Sequence, residues 1–378
     1  MSKVYKAFFY LFSSIRTILF LVFRYNKNLM GKGYKKYVLL LSRDMSMSGA
    51  PLVLMDIAKY FEENDYEVIL MYKYDGRLRH ECNYKKFCTF FFQAVIQKLV
   101  INCKFDCIFV NTIANCEWIS YFEKNNIKYN LWIHEGDEYF SKYYKRLPNK
   151  LQNCRIFSVS DICEVAIEKY GFNYNSIQMP YPYEYSTKVD KYDFAKAKKI
   201  ILIVGSICKR KNQMELIKAL DLLNEDLKKD IKVLIVGSSI DKEYSKKLIK
   251  STMHINFVEY IDYLDHNKLM DLYNDIYLSV CCSTDDPLPV TITEAIFAHR
   301  LVLVSSGTGH YEYIQNNING FTYNVNDIYQ LAKRIEEILN LSPEKYLEIT
   351  DKAYISFEKK FDKNSFYDIL NSNLLRCS

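Results

Sequence analysis

The sequence lacks several common functional signatures. It contains no Cys-x-x-Cys pair, and no histidine stands at zinc-finger spacing from a pair of cysteines, which excludes the usual structural zinc modules. The 11 cysteines are odd in number and scattered through predicted strands and helices, so they read as free thiols in a reducing cytosol, several of them core residues. The Gly-x-Gly-x-x-Gly fingerprint is missing, which leaves a dinucleotide site in the first half unsupported. No concentrated basic stripe accompanies the net charge of +6, so nucleic acid is not an expected partner. That charge licenses only a weak attraction to phosphate-bearing ligands or anionic lipid.

What is present is ordinary for a soluble globular chain: 49% hydrophobic and 25% charged residues, which argues against disorder over most of the length. A length of 378 residues suits about two domains. The 33 Tyr and 23 Phe, beside abundant Lys and Asn, read as a codon-composition bias more than as a functional signal.

The N-terminus carries an apolar run, AFFYLFSSIRTILFLVF, over residues 7–23, flanked by Lys3, Lys6, Arg24 and Lys27. A spanning helix needs about 20 largely apolar residues. This run is shorter and has Arg16 at its middle, which is costly in hydrocarbon. No small-residue cleavage site follows, so a signal peptide fits poorly. Two readings stay open: a basic, aromatic helix in the membrane interface, or a helix packed on the first domain.

From Tyr37 onward short apolar runs alternate with helical segments. Strands are expected at residues 37–42, 68–72, 105–111, 130–134 and 155–160, with helices at 52–61 and 118–122 and another opening at Asp161 with Glu164 as capping-box partner. The segment MPYPYEYSTKVDKYD (Met179 to Asp193) breaks the rhythm and reads as a linker. The alternation then restarts, with strands at 199–205, 231–237, 255–258, 276–281 and 301–305. Helices are expected at 212–223, capped by Asn212 with Glu215, at 291–299 and at 327–339, and from Pro343 to the end. The fold class is therefore α/β, with two Rossmann-like βαβ domains facing across a cleft, and ligands expected at the carboxyl ends of the strands.

Five segments after strands could carry chemistry. Ser48 and Gly49, in the loop SMSGAP, let backbone approach a phosphate at a helix start; a tight turn explains them equally. His134, beside Glu135, can donate a hydrogen bond to a sugar hydroxyl or a developing charge, or simply cap its loop. Gly205 and Ser206, followed by Lys209, Arg210 and Lys211, suit a diphosphate, or form a solvated basic turn. Asp286 and, eight positions on, Glu294 can place two carboxylates along one ligand. Thr291-x-x-Glu294 is equally a capping box. Gly307 and Gly309 before a predicted helix make an anion nest, with Glu312 open to a helix-dipole role.

Together these segments resemble glycosyltransferase group 1, or family 4, of the GT-B fold. The likeness covers about residues 37–340 and is densest from Lys199 to Gly320. Gly205 and Lys211 fall at the family's strand-ending glycine and diphosphate lysine. Ser206 falls where many members carry arginine, so that contact either passes to Arg210 or is lost. The family's paired acidic residues match Asp286, in place of the commoner Glu, and Glu294. Glu312, Asn319 and Gly320 match its later acidic residue and Asn-Gly turn.

Four parts are expected: a basic aromatic segment (1–30), read from its own residues, and, as the resemblance implies, an N-terminal acceptor domain (31–190) and a C-terminal nucleotide-sugar-binding domain (196–342), followed by C-terminal helices (343–378). It implies a retaining, metal-independent transferase that uses a nucleotide-diphosphate sugar as donor substrate and no cofactor. The implied acceptor is a glycan or lipid-linked precursor in surface polysaccharide or lipopolysaccharide biosynthesis. Asp286 would contact the donor sugar and Glu294 the ribose. Arg210, Lys211 and the glycine loops would hold the diphosphate, and His134 would face the reacting carbon. No Asp-x-Asp triplet occurs, in keeping with the absence of the metal-diphosphate site of the other glycosyltransferase fold. The expected location is the cytoplasm, at the inner face of the membrane if residues 1–30 bind it. The alternatives are another GT-B enzyme, such as a sugar-nucleotide epimerase or a phosphorylase, and a non-catalytic sugar-nucleotide binder.

Overall fold

A computed structural model describes residues 3–25, 36–172, 175–183 and 192–377. It divides into unit 1, Met1–Pro182 with Phe366–Ser378, and unit 2, Tyr183–Ser365. The C-terminal stretch read as one helical segment from Pro343 is thus shared: the helix Pro343–Lys360 belongs to unit 2, and the chain rejoins unit 1 at Phe366.

Unit 1 is a seven-stranded sheet in the order β3-β2-β1-β4-β5-β6-β7. Its strands are β1 (Lys36–Asp44), β2 (Tyr66–Tyr74), β3 (Lys85–Cys88), β4 (Cys107–Asn111), β5 (Tyr129–Ile133), β6 (Cys154–Ser158) and β7 (Ile177–Gln178). All neighbours pair parallel. The continuous apolar runs, such as Val38–Leu41 and Phe109–Val110, are buried, as a sheet covered on both faces requires. Two strands of this unit have no counterpart among the expected ones: β3 reads Lys-Lys-Phe-Cys and is short, and β7 has only two residues. Helix α1 (Lys3–Leu19) packs on β3, and α2 (Gly49–Glu63) follows β1.

Unit 2 is a six-stranded parallel sheet in the order β10-β9-β8-β11-β12-β13. Its strands are β8 (Lys199–Val204), β9 (Ile231–Val236), β10 (Val258–Ile261), β11 (Ile276–Cys281), β12 (Leu301–Ser305) and β13 (Phe321–Tyr323). The strand expected at 255–258 begins where that range ends, because Ile255 and Phe257 belong to the preceding turn. Helices α3 (Gln213–Asp221), α4 (His266–Tyr273) and α5 (Val290–Phe297) matter below. One buried cluster, with Ile201, Ile203, Leu216, Val233, Tyr277 and Leu303 among its members, packs α3 against the sheet.

The supposed linker is partly structural. Met179 is fully buried; its N–H donates to the Ser158 carbonyl at 2.7 Å, and its own carbonyl accepts from Trp132 Nε1 at 3.1 Å. Residues 184–191 of that segment, like Lys27, lie outside the described residues.

In each unit the strand order reverses beside the first strand, between β1 and β4 and between β8 and β11. Loops leaving the carboxyl ends of those two strands diverge and open a crevice, the usual ligand position in such sheets.

Candidate functional site

In unit 2 the loops after β8 and β11 meet. Gly205 ends β8 at φ 152°, and the Lys211 side chain lies over it, so an added Cβ would stand 3.2 Å from Lys211 Cε. Lys209–Lys211 forms a single 3₁₀ turn. From it Lys211 Nζ donates to Asp286 Oδ2, while Arg210 lies 3.6 Å from Asp286 Oδ1 and donates to the Asp285 carbonyl at 2.6 Å. The Arg210 carbonyl accepts the Thr284 N–H at 2.8 Å. Ser283 Oγ adds a bond to Asp286 at 3.2 Å. Burial alone would raise the Asp286 carboxyl; Lys211 and Arg210 overcome it and hold the group below the usual carboxylate range. Two cations against one carboxylate leave this knot cationic, which suits an anionic ligand.

The loop after β12 closes the knot. The Asp286 N–H donates to the Gly307 carbonyl at 2.8 Å, and its carbonyl accepts the Gly309 N–H at 3.0 Å. A Cβ at Gly307 would meet the Ser283 carbonyl oxygen at 2.4 Å, so only glycine fits there. No helix follows these glycines: Tyr311–Tyr313 is one 3₁₀ turn, which removes the helix-dipole role for Glu312 and leaves it exposed. Asn319 and Gly320 form the turn into β13, with Asn319 Oδ1 accepting the Gln315 N–H at 2.7 Å. His310, which the sequence reading passed over, is fully buried under this loop. Burial holds it neutral, down to about 3, and its Nε2 lies 2.9 Å from Thr293 Oγ1 of α5.

Glu294 sits on α5 but caps nothing. The helix starts at Val290 with Pro289 before it, so Thr291 is inside the first turn and the capping-box alternative fails. The carboxylate accepts the Tyr273 hydroxyl of α4 at 3.0 Å, with His266 Nδ1 at 3.9 Å. Burial pushes Glu294 up, against the pull of His266 and Tyr273. No hydrogen bond or ion pair joins it to Lys211 or Asp286, so the structure brings the expected trio together only in part. Asn212 also departs from expectation. It adopts φ 52° ahead of α3, and its amide donates to Glu215 Oε2 at 2.6 Å instead of accepting a helix N–H.

Unit 1 has its own cluster at the β1/β4 switch point and the end of β5. His134 Nε2 lies 2.8 Å from Asn111 Oδ1, and the Asn111 amide donates to the Ala50 carbonyl at 2.8 Å. That second bond fixes the amide's orientation, so His134 carries its proton on Nε2 and gives it to Asn111. Burial holds His134 neutral, down to about 3. The hydrogen expected for a sugar is thus engaged, and Nδ1 is left as an acceptor. Ser48 and Gly49 open α2 beside Ala50 and are exposed; Ser48 Oγ lies 2.8 Å from Ser46 Oγ and caps no N–H.

Glu135, next to His134, carries no role of its own in the sequence expectations. It is buried, accepts the His134 N–H at 3.0 Å and the Ile113 N–H at 3.4 Å, and burial pushes its carboxyl up to about 7 despite those bonds and one from Thr112. Thr112 stands at φ 76°, ψ 143°, an unusual conformation for a β-branched residue, and backbone strain of this kind gathers at functional sites. Only a buried acid at a strand's carboxyl end could have flagged Glu135 in the sequence.

Among the described residues no group of three His, Cys, Asp or Glu side chains could hold a metal ion. All 11 cysteines are free thiols.

Two parallel sheets with divergent strand ends, one of them cationic, define a GT-B protein, and solved structures agree. Anabaena HepE in complex with UDP-glucose superposes with a TM-score of 0.74 at 17% identity, over 89% of this chain and 98% of that one. WaaG, a glycosyltransferase involved in lipopolysaccharide biosynthesis, gives 0.70 at 14% identity, over 89% and 100%. Residues 34–163 match the glycosyl-transferase family 4 model and residues 185–355 the model of glycosyl transferases group 1. The chain belongs to the group 1 glycosyltransferases. Among curated relatives, the uncharacterized glycosyltransferase MJ1607 of Methanocaldococcus jannaschii is 26% identical over 200 residues, 48% of each chain. An alpha-1,4-N-acetyl-D-galactosaminyltransferase of Campylobacter jejuni, named for a diNAcBac-PP-undecaprenol-linked substrate, is 22% identical over 42% of this chain and 44% of its own. The chain spans about half the length of the curated relatives it matches.

Proposed function

We propose that the protein transfers a sugar from a nucleotide-diphosphate sugar to a glycan or lipid-linked acceptor, with retention and without a metal. The pathway we propose is surface polysaccharide or lipopolysaccharide biosynthesis, at the cytoplasmic side of the membrane. The observation that carries the reading is the Lys211–Asp286–Arg210 knot at the β8/β11 switch point. A departing nucleoside diphosphate needs charge compensation, and preorganised cations supply it without reorganisation. Asp286 holds Lys211 in place and would receive the donor sugar's hydroxyls. Glu294, set by Tyr273, would take the ribose. Gly205, Gly307 and Gly309 would let backbone approach the phosphates.

In this mechanism the bond between the anomeric carbon and the diphosphate oxygen breaks, and the acceptor oxygen bonds to the same face of that carbon. The acceptor proton passes to the leaving phosphate oxygen, so no nucleophilic carboxylate is required. His134, neutral by burial, would face the reacting carbon, with Glu135 beside it. The UDP-glucose complex of the Anabaena relative makes UDP-sugars the first donors to try. The Campylobacter enzyme supports a polyprenyl-diphosphate-linked glycan as acceptor class. The free thiols fit a cytoplasmic location.

The test is a thermal-shift panel of nucleotide sugars. A ligand at 100 times its Kd should stabilise the native state by about 2.7 kcal/mol. Product analysis would then read the anomeric configuration, with and without chelator. A panel in which no nucleotide or nucleotide sugar shifts the melting temperature sinks the reading.

A further inference from the structure

Helix α1 is amphipathic in the reverse sense. Its exposed side is the stripe Val4, Tyr5, Phe8, Phe12, Ile15 and Leu19, positions that fall on one face at helical spacing. Its packed side mixes hydroxyls with aromatic rings, Tyr10 stacking on Phe90 at 4.4 Å. Ser14 and Thr17 are fully buried; Thr17 Oγ1 donates to the Cys88 carbonyl at 2.7 Å, and Ser14 Oγ accepts the Phe91 N–H at 3.1 Å. Tyr10 Oη accepts the Asp75 N–H at 3.0 Å. A helix serving only the core of a soluble domain would bury the other face. The expectation of a helix packed on the first domain holds for the face that carries Ser14, Thr17 and Tyr10, and an apolar stripe looks out. Val4–Phe23 is long and apolar enough to cross a membrane by length and composition, but crossing would strip three hydroxyls of their partners.

A pocket of about 330 Å³ lies between α1 and the β3 region. Arg16, Arg79, Lys85 and Lys86 are among its lining residues, and no carboxylate is. Asp75 pairs with Arg79 at 2.6 Å and Glu67 pairs with Lys85, both from outside the lining. Lys86 donates to the Arg79 carbonyl at 2.7 Å and to that of Cys82, and the Arg79 guanidinium lies 5.0 Å from the Phe9 ring of α1. The pocket is thus preassembled partly by the helix itself. The family match begins at residue 34, so α1 stands ahead of it.

We infer that α1 lies in the headgroup layer of an anionic bilayer, its apolar stripe at the acyl boundary, and that the Arg16/Arg79/Lys85/Lys86 pocket takes a lipid headgroup phosphate. Charge complementarity carries the choice of occupant. The apolar stripe supplies area-dependent binding, and four cations against the two carboxylates that pair with Arg79 and Lys85 leave the net positive charge that supplies the preference for phosphate. This deepens the membrane part of the proposed function and is independent of the sugar-transfer part.

The test uses the full chain and vesicles of phosphatidylcholine alone or mixed with phosphatidylglycerol, read by flotation. The protein should prefer the anionic vesicles. Arg16→Gln/Lys85→Gln should weaken anionic binding roughly tenfold while leaving neutral-vesicle binding unchanged. Phe8→Ser/Phe12→Ser should lose binding to both. Circular dichroism and the nucleotide-sugar thermal shift of the same samples show that the variants are folded and keep the two readings separable. Equal binding of the wild-type chain to both vesicles overturns the inference, as does an undiminished anionic preference in the double variant. So does resistance to an alkaline carbonate wash, which would mean a spanning helix. Stabilisation by inorganic phosphate through Arg16 and Lys85 without vesicle binding also overturns it, in favour of a soluble phosphate ligand.

Discussion

At the switch point of unit 1 His134 is neutral and Glu135 titrates near neutrality, whereas at that of unit 2 Asp286 stays ionised between two cations. The topology of the two crevices is the same: parallel strands diverging beside β1 and beside β8. The difference lies in what the loops deliver. Unit 1 supplies buried groups with backbone N–H and amide partners, and unit 2 supplies Lys and Arg from the turn after β8. Where burial meets no counter-charge, the neutral form wins; where it meets two cations, the ionised form wins. One scaffold can thus offer a hydroxyl-like ligand and an anion two different surfaces.

The largest effect should come from removing the cation that defines unit 2. Lys211→Ala should lower turnover of a nucleotide sugar on the order of 10²–10³-fold, read by product formation at saturating acceptor. Near-wild-type turnover would deprive the contrast of functional meaning. Next is the opposite pH behaviour of the two acids. The native Glu135 carboxyl, near 7, binds its proton more tightly than the unfolded one. Its contribution is therefore complete below the unfolded value of about 4.3 and is lost as pH rises through about 7. The span is up to about 4 kcal/mol, and urea unfolding of Glu135→Gln across this window should show a flatter dependence. Asp286 has the reverse sign. Its contribution is present above the unfolded value and disappears as pH falls through the lowered native one, so Asp286→Asn should flatten the acid limb instead.

A smaller loss is expected of Gly307→Ala, about 1–3 kcal/mol, because its Cβ must displace the Ser283 carbonyl. Calorimetry should show a lowered melting temperature, and an unchanged one would mean the loop yields freely. Smallest is Tyr273→Phe, which removes one hydrogen bond from Glu294 for about 1 kcal/mol. It should weaken nucleotide binding more than it weakens the fold; the reverse result would make Glu294 a packing residue.

Much of the architecture could be read from apolar runs, because strands buried on both faces announce themselves. β1, β2, β8, β9, β11 and β12 all do. β3 does not, since two of its four residues are lysines, Lys85 exposed and Lys86 half-buried. Caps were harder. Three segments shaped like capping boxes, ending in Glu164, Glu215 and Glu294, bond elsewhere: to Ser158 and Ser176, to Asn212 and Tyr323, and to Tyr273. Side chains that do cap include Asn224, Asp241, Asp265, Asp327, Ser342 and Asp362, each accepting an N–H three residues on. The pattern specifies residues that can bond backbone, but tertiary partners decide whether they do. The site shows the same limit. Lys211 and Asp286 were legible as a pair of types at strand ends, while Glu135 and His310 depend on burial that no local pattern reveals.

Asp286 fastens three loops through separate groups: its side chain to the turn after β8, its own position to the loop after β11, and its backbone N–H and carbonyl to the glycines after β12. These loops are therefore a single mechanical part. Exchanging one of them for a relative's counterpart, to alter which donor is accepted, would break the registration of the other two. Donor preference in this scaffold must be transplanted, or drift, as a matched set.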